Sequence, residues 1–256
     1  MLDPASDVID AARRHAEGLR ALRLTLSRQV PPGARARVWR LLKDALPADV
    51  ATSPGLSVGT LWLGIPLDSP GLAVYVNGAW GDLHDQWDRV EASLRGQGVR
   101  DDVRAMLRPL RTHALASLGI EITPNGGCRV KVYFRLIAPR PLVGLGASLW
   151  TNDALIRVLD VGIGHRDIPS RGMVLSLGFD PSTPRPVDAK IDVCGHCLSR
   201  PGERDAVISR TARAFGDSGP PLGDWRTGVD VELAFIGAGA SADGSTRWNV
   251  YFKGLS

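Results

Sequence analysis

The chain has 256 residues, 44% hydrophobic and 23% charged, with a formal net charge of +4. That is the composition of a soluble globular protein. It excludes three classes: no apolar run nears the ~20 residues that span a bilayer, three cysteines make no disulfide framework, and no Lys/Arg block marks a nucleic-acid-binding tail. Met1-Leu2-Asp3-Pro4 lacks a basic segment followed by an apolar core, so a cytoplasmic location is expected, with no membrane or nucleic-acid partner.

Apolar spacing predicts helices over 7–29 and 34–46, separated by Pro31-Pro32-Gly33. A hairpin follows, with strands over 57–65 and 71–78. Helices are expected again at 82–96, with Leu83, Trp87, Val90 and Leu94 in a stripe, and at 101–116, bent at Pro109. The second hairpin pairs 118–123 with 128–136 across Pro124-Asn125-Gly126-Gly127. A weaker helical region covers 141–163, and a third hairpin pairs 172–180 with 187–194. A helix at 203–215, a Gly/Pro-rich linker and a fourth hairpin complete the chain, the last pairing 228–236 with 246–253 across a Gly/Ala/Ser loop.

These elements repeat. Ala73-Val74-Tyr75-Val76, Lys131-Val132-Tyr133-Phe134, Lys190-Ile191-Asp192-Val193 and Asn249-Val250-Tyr251-Phe252 recur at spacings of 58, 59 and 59 residues. The unit is helix, helix, strand, strand, and four units make a single domain, 1–256, with N-terminal helices over 1–50 and hairpins at 57–78, 118–136, 172–194 and 228–253. The strands alternate. One face of the second strands carries Leu72, Val74, Val76, Val130, Val132, Phe134, Leu136, Ala189, Ile191, Val193, Trp248, Val250 and Phe252. In the first strands Leu61, Leu63 and Ile65, then Leu118, Ile120 and Ile122, then Met173, Leu175, Leu177 and Phe179, then Val229, Val231, Leu233 and Phe235 share that face. Amphipathic helices must cover it. The expected fold class is therefore α/β: repeated ααββ units forming an antiparallel β-barrel with a solvated polar lumen surrounded by helices. An open sheet with its polar side in water is the alternative.

Arg129, Lys131, Arg135, Lys190, Arg247 and Lys253 fall on the other face, interleaved with Tyr75, Tyr133, Tyr251 and Trp62. Gathered cations suit a diphosphate through charge-assisted hydrogen bonds, and π faces stabilise a carbocation by roughly 0.5–2 kcal/mol each. Together they describe prenyl transfer.

The ααββ repeat, with Lys131-x-Tyr133 on a second strand and its echoes at Lys190/Asp192 and Asn249/Tyr251, resembles the ABBA-type (PT-barrel) aromatic prenyltransferases, among them the indole, phenol and cyanobactin-peptide enzymes. The resemblance spans about residues 55 to 253. It implies a barrel that binds prenyl diphosphate in its lumen and transfers the prenyl group to an aromatic acceptor, a small molecule or a peptide side chain. By position it further implies Lys131, Lys190 and Arg247 as diphosphate ligands and Tyr133 and Tyr251 as cation shields; the strand pattern adds Arg129 and Lys253 to the first set and Tyr75 and Trp62 to the second. Glu121 would be the catalytic acceptor base. No cofactor is required, although Mg²⁺ is possible. The family has five hairpins where four are legible here, and Ala73 stands where a lysine is expected.

Other motifs compete. Cys194-Gly195-His196-Cys197 matches a redox motif, but it ends a strand and meets Pro201-Gly202 rather than a long helix; zinc would need a further ligand such as Cys128, and plain packing at the strand end is the simpler account. Asp180, Asp188 and Asp192 could hold Mg²⁺ or pair with Lys190 and Arg129. Asp230 and Glu232 are alternative bases, and Trp80, Trp87 and Trp150 fit the core better than a ligand. The rival function is a non-catalytic barrel or sheet that binds an anionic ligand or peptide.

Overall fold

The structure is a computed structural model that describes residues 4–46, 61–64, 71–78, 80–123, 126–137, 140–141, 153–198, 201–216 and 231–254. The chain divides into two compact units, Met1–Phe134 with Gly178–Pro186, and Arg135–Leu177 with Val187–Ser256. The main sheet has eight antiparallel strands in chain order.

In the first unit, helices α1 (Pro4–Gln29) and α2 (Pro32–Ala45) meet where Pro31 and Pro32 interrupt the chain. Strands β1 (Leu61–Gly64) and β2 (Leu72–Asn77) pair with Trp62 opposite Tyr75. Helix α3 (Leu83–Gly96) opens on a capping box between Asp82 and Asp85, which satisfies two of its orphan backbone donors. The helix expected over 101–116 is shorter: α4 (Asp101–Ala105) passes into a 3₁₀ turn at Arg108–Leu110, and β3 (Ala114–Ile122) begins at once. Pro109 cannot donate to a continuing helix, and residues 117–122 find ladder partners in β2. Strand β4 (Cys128–Arg135) completes the unit, with Trp87 of α3 stacked on Phe134 at 5.2 Å. Trp87 is core, as its stripe predicts.

In the second unit, β5 (Arg140–Pro141) and β6 (Asp167–Ile168) form a short ladder of their own. Helix α5 (Asp153–Ile163) covers only the end of the predicted 141–163 region; Gly144, Gly146 and Trp150 lie outside the described residues. Strands β7 (Met173–Phe179) and β8 (Asp188–Cys194), helix α6 (Pro201–Ala214), and strands β9 (Val231–Ser241) and β10 (Thr246–Gly254) follow. The stretches 57–60, 65 and 228–230, including Asp230, also lie outside the described residues.

The expected apolar face is buried from Leu72 through Val193, and Phe134, Val130, Val132 and Val193 have no exposure at all. At the ends of the sheet the pattern weakens. Leu63 on β1 is exposed, and Trp248, Val250 and Phe252 on β10 are half-buried, because each end strand has one strand neighbour among the described residues. The polar face departs from expectation too: all of β7 and β8 is buried, so Lys190, Asp188 and Asp192 are packed instead of bathed.

Two further corrections concern β9. The Gly/Ala/Ser stretch expected as a loop continues the strand to Ser241, and only Ala242-Asp243-Gly244 turns, with Gly244 at φ 85°. The glycines are there for close approach: a Cβ at Gly237 would stand 2.0 Å from Asp192 Oδ1 and 2.5 Å from the Ile191 carbonyl. Gly237→Ala should therefore cost about 1–3 kcal/mol, read as a lowered midpoint of thermal unfolding; an unchanged midpoint would show that β8 and β9 can separate freely. Second, Tyr251 pairs with Phe235 but Phe252 with Leu233, a β-bulge at Ala234. The extra residue turns Phe235 away from Leu233 and onto the face of Tyr251.

Candidate functional site

Each unit carries one cluster of charged and aromatic side chains on the non-apolar face of its strands. In the first, the ladder sets Ala73 opposite Glu121 and Tyr75 opposite Gly119. Gly119 has no side chain to resist the Tyr75 ring, which lies 2.7 Å from where its Cβ would be. Tyr75 meets Tyr133 edge to face, centroids 5.9 Å apart. Glu121 is held by two cations: Lys131 Nζ lies 2.7 Å from its Oε1, and Arg129 donates to Oε2 through Nε at 2.9 Å and again through its terminal nitrogen. Burial alone would raise the Glu121 pKa, but the Lys131 and Arg129 charges outweigh it and hold the carboxyl below the ordinary range. This site keeps a carboxylate ionised and fixes its direction. Trp62, opposite Tyr75, is exposed.

In the second unit, cross-strand pairing sets Lys190 opposite Gly239, Asp192 opposite Gly237 and Cys194 opposite Phe235. Lys190 Nζ lies 2.9 Å from Asp192 Oδ2 and donates to the Tyr251 hydroxyl at 2.6 Å. The same ammonium is 4.4 Å from the Tyr251 ring centroid. Phe235 meets that ring edge to face at 6.4 Å. The lysine is 8% exposed, so these contacts act with little screening from water. Arg247 lies 3.8 Å from Asp188 and is more open, with its side chain 36% exposed.

Of the residues singled out from sequence, the structure brings Glu121, Arg129 and Lys131 together beside the Tyr75–Tyr133 pair, and Lys190 with Tyr251. Arg247 is paired with Asp188, and Lys253 is placed by backbone register opposite Glu232. Arg135 donates to the Arg171 carbonyl at 3.0 Å and to Cys194 Sγ at 3.6 Å. Glu232 lies 3.8 Å from Arg204 of α6. Phe235 was missed, because strict alternation assigns it to the apolar side; a Gly-rich strand abutting Lys190-x-Asp192 is the one sequence signal that could have pointed to irregular pairing.

The rival motifs resolve simply. Burial raises the pKa of both Cys194 and Cys197, the latter to about 11, so neither thiol is poised as a nucleophile. Among the described residues no three His, Cys, Asp or Glu side chains are arranged to hold a metal. Asp180 instead accepts from Ser182, through its backbone N–H at 2.9 Å and hydroxyl at 2.7 Å, while Asp192 and Asp188 face Lys190 and Arg247. Of the expected pairings among the described residues, Asp192 with Lys190 is seen; Asp188 has Arg247 and Asp180 has Ser182 instead. Trp80 stacks under the buried Arg89 guanidinium, 3.2 Å from the ring centroid, and is structural. No described helix is long and apolar enough to cross a membrane.

No family model matches the chain, and no curated protein matches it. Solved structures do. The prenyltransferase PriB aligns over 93% of this chain and 69% of its own, at 18% identity and a TM-score of 0.69. It has been crystallised with L-tryptophan and dimethylallyl thiolodiphosphate. The 5-dimethylallyltryptophan synthase of Streptomyces coelicolor aligns over 92% of this chain and 71% of its own, at 21% identity and 0.63. The 6-dimethylallyltryptophan synthase of Micromonospora olivasterospora covers 86% of this chain and 67% of its own, at 18% identity and 0.68. At such identities the likeness shows the fold, and the chain has the fold of the ABBA-type aromatic prenyltransferases.

Proposed function

We propose that the protein transfers a prenyl group, dimethylallyl or geranyl, from its diphosphate to an aromatic acceptor, a small molecule or a peptide side chain. The observation that carries this reading is the Lys190–Tyr251 contact: a buried ammonium lies against a phenol ring, on a fold that prenyltransferases use. In the reaction the C1–O bond breaks, diphosphate leaves with the electron pair, the acceptor ring attacks C1, and a ring proton is lost. Arg129, Lys131, Lys190, Arg247 and Lys253 would take up the diphosphate charge. Tyr75, Tyr133, Tyr251 and Trp62, joined by Phe235, would present π faces to the allylic cation. Glu121, ionised and fixed in direction, would orient the acceptor and receive its proton. In this reading no metal is obligatory.

A second reading has its own support. Lys131 and Lys190 each have a carboxylate within 2.7–2.9 Å, as purely structural pairs would. The sheet would then bind an anion or peptide without chemistry. Calorimetric titration with dimethylallyl and geranyl thiolodiphosphate, in EDTA and again in Mg²⁺, separates the two. Binding of about micromolar strength that persists in EDTA and disappears in Lys131→Ala is expected. A folded sample that binds neither analogue would leave the non-catalytic account standing.

A further inference from the structure

Charge is unevenly spread along this chain. Residues 13–43 hold nine of the 31 Lys and Arg but only one, Glu17, of the 27 Asp and Glu; this stretch is net +8 and the remainder net −4. Most of the stretch is helical, in α1 and α2. Five of its cations lie on α1 and four on α2, and two of the latter, Arg37 and Arg40, sit where α2 packs on α3. The seam is closed by Arg37 Nε donating to Gln97 Oε1 at 3.0 Å, Gln97 Nε2 donating to the Arg37 carbonyl at 2.9 Å, and Arg40 donating to the Gly96 carbonyl at 2.9 Å.

Beside that seam opens a groove of about 600 Å³ lined by Trp39, Arg40, Lys43, Asp44 and Arg95. Arg40, Lys43 and Arg95 are exposed, and the half-buried Trp39 ring is flanked by the Arg23 guanidinium at 5.9 Å. An indole wall with cations around its rim is a surface built to hold a chain that is partly apolar and carries negative charge. We propose that the groove between α2 and α3 is a docking site for an acidic, extended peptide segment, whose carboxylates pair with Arg40, Lys43 and Arg95 while an apolar side chain rests on Trp39.

Asp44 decides between a peptide and a nucleic acid. Partial burial raises its pKa despite Lys43 and Arg40 beside it, and it sits in the groove itself. A continuous phosphate backbone would have to pass this carboxylate. A peptide can place its acidic side chains on either side and give Asp44 a backbone N–H. The site stands whether or not the chain transfers a prenyl group, since it lies on the helices and shares no residue with either strand cluster.

Fluorescence anisotropy tests it with three labelled probes: an extended peptide with Glu alternating with Leu and Ser, the same peptide with Gln for every Glu, and a single-stranded DNA oligonucleotide. The Glu peptide should bind, weaken with added salt, and exceed the Gln peptide by roughly tenfold or more. Lys43→Gln with Arg95→Gln, two side chains outside the hydrogen-bonded seam, should weaken the Glu peptide roughly tenfold while leaving the thermal unfolding midpoint unchanged. Trp39→Ala should weaken both peptides. Equal binding of the two peptides, or undiminished binding by the double variant, would overturn the proposal. DNA binding that is tighter than the Glu peptide and lost in the same double variant would replace it with a nucleic-acid surface.

Discussion

Replacing Lys190 by methionine should abolish donor binding and lower turnover by roughly a hundredfold or more, the scale of losing a preorganised charge that meets the leaving group. It should also destabilise the fold. Asp192 is 9% exposed and would lose an ammonium 2.9 Å away, and breaking a buried pair from one side costs about 3–5 kcal/mol. The two effects are separable. Lys190→Met combined with Asp192→Asn removes both charges, so the unfolding midpoint should recover most of the loss while turnover stays low. Turnover that returned with stability would show that the lysine serves the fold alone. Tyr251→Phe is the companion measurement: it removes the hydroxyl that accepts from Lys190 at 2.6 Å but keeps the ring, so a shielding role predicts retained turnover.

Glu121→Gln should lower acceptor turnover by about a hundred- to ten-thousandfold, the range for a positioned proton acceptor, with donor binding kept. Its pH behaviour offers a check that needs no substrate. The folded-state pKa of Glu121 is depressed, because the pull of Lys131 and Arg129 exceeds the cost of burial. A depressed carboxylate contributes stability that is complete above its unfolded value, near 4.5, and is lost as pH falls through the lower folded value. Wild type should therefore exceed Glu121→Gln in stability by a constant margin at neutral pH, and the margin should close in acid below 4.5. A margin that widened there would mean that the two cations do not hold the carboxylate.

Gly237 and Glu121 are informative about how far the amino-acid order reaches. Alternation in Cys128 to Leu136 is a local property of extended backbone, so the inward and outward sets of β4 were legible residue by residue, and so was the period that repeats them. Phe134, Val130 and Val132 are buried, and Trp87 from the α3 stripe lies on Phe134, because apolar faces on helix and strand have one way to leave water together. The resemblance to a prenyltransferase barrel followed from that period and from Lys-x-Tyr on a second strand.

What local order could not carry depends on partners far along the chain. The helix expected over 101–116 stops at Ala105, a 3₁₀ turn takes Pro109, and β3 begins already at Ala114. Gly237 and Gly239 read as a loop until β8 stood against them; with Asp192 and Lys190 as neighbours, they are the residues that allow the strands to touch. The bulge at Ala234 is invisible to any period-2 count, and it alone moved Phe235 to the face of Tyr251. The pairing of charges is the last case. Six cations were legible as one set, but Glu121 against Lys131 and Arg129, and Asp192 against Lys190, are choices of distance and burial, which a linear order does not contain. Periodicity is written in neighbouring residues, whereas electrostatic partnership is decided by which strands hydrogen-bond and in what register.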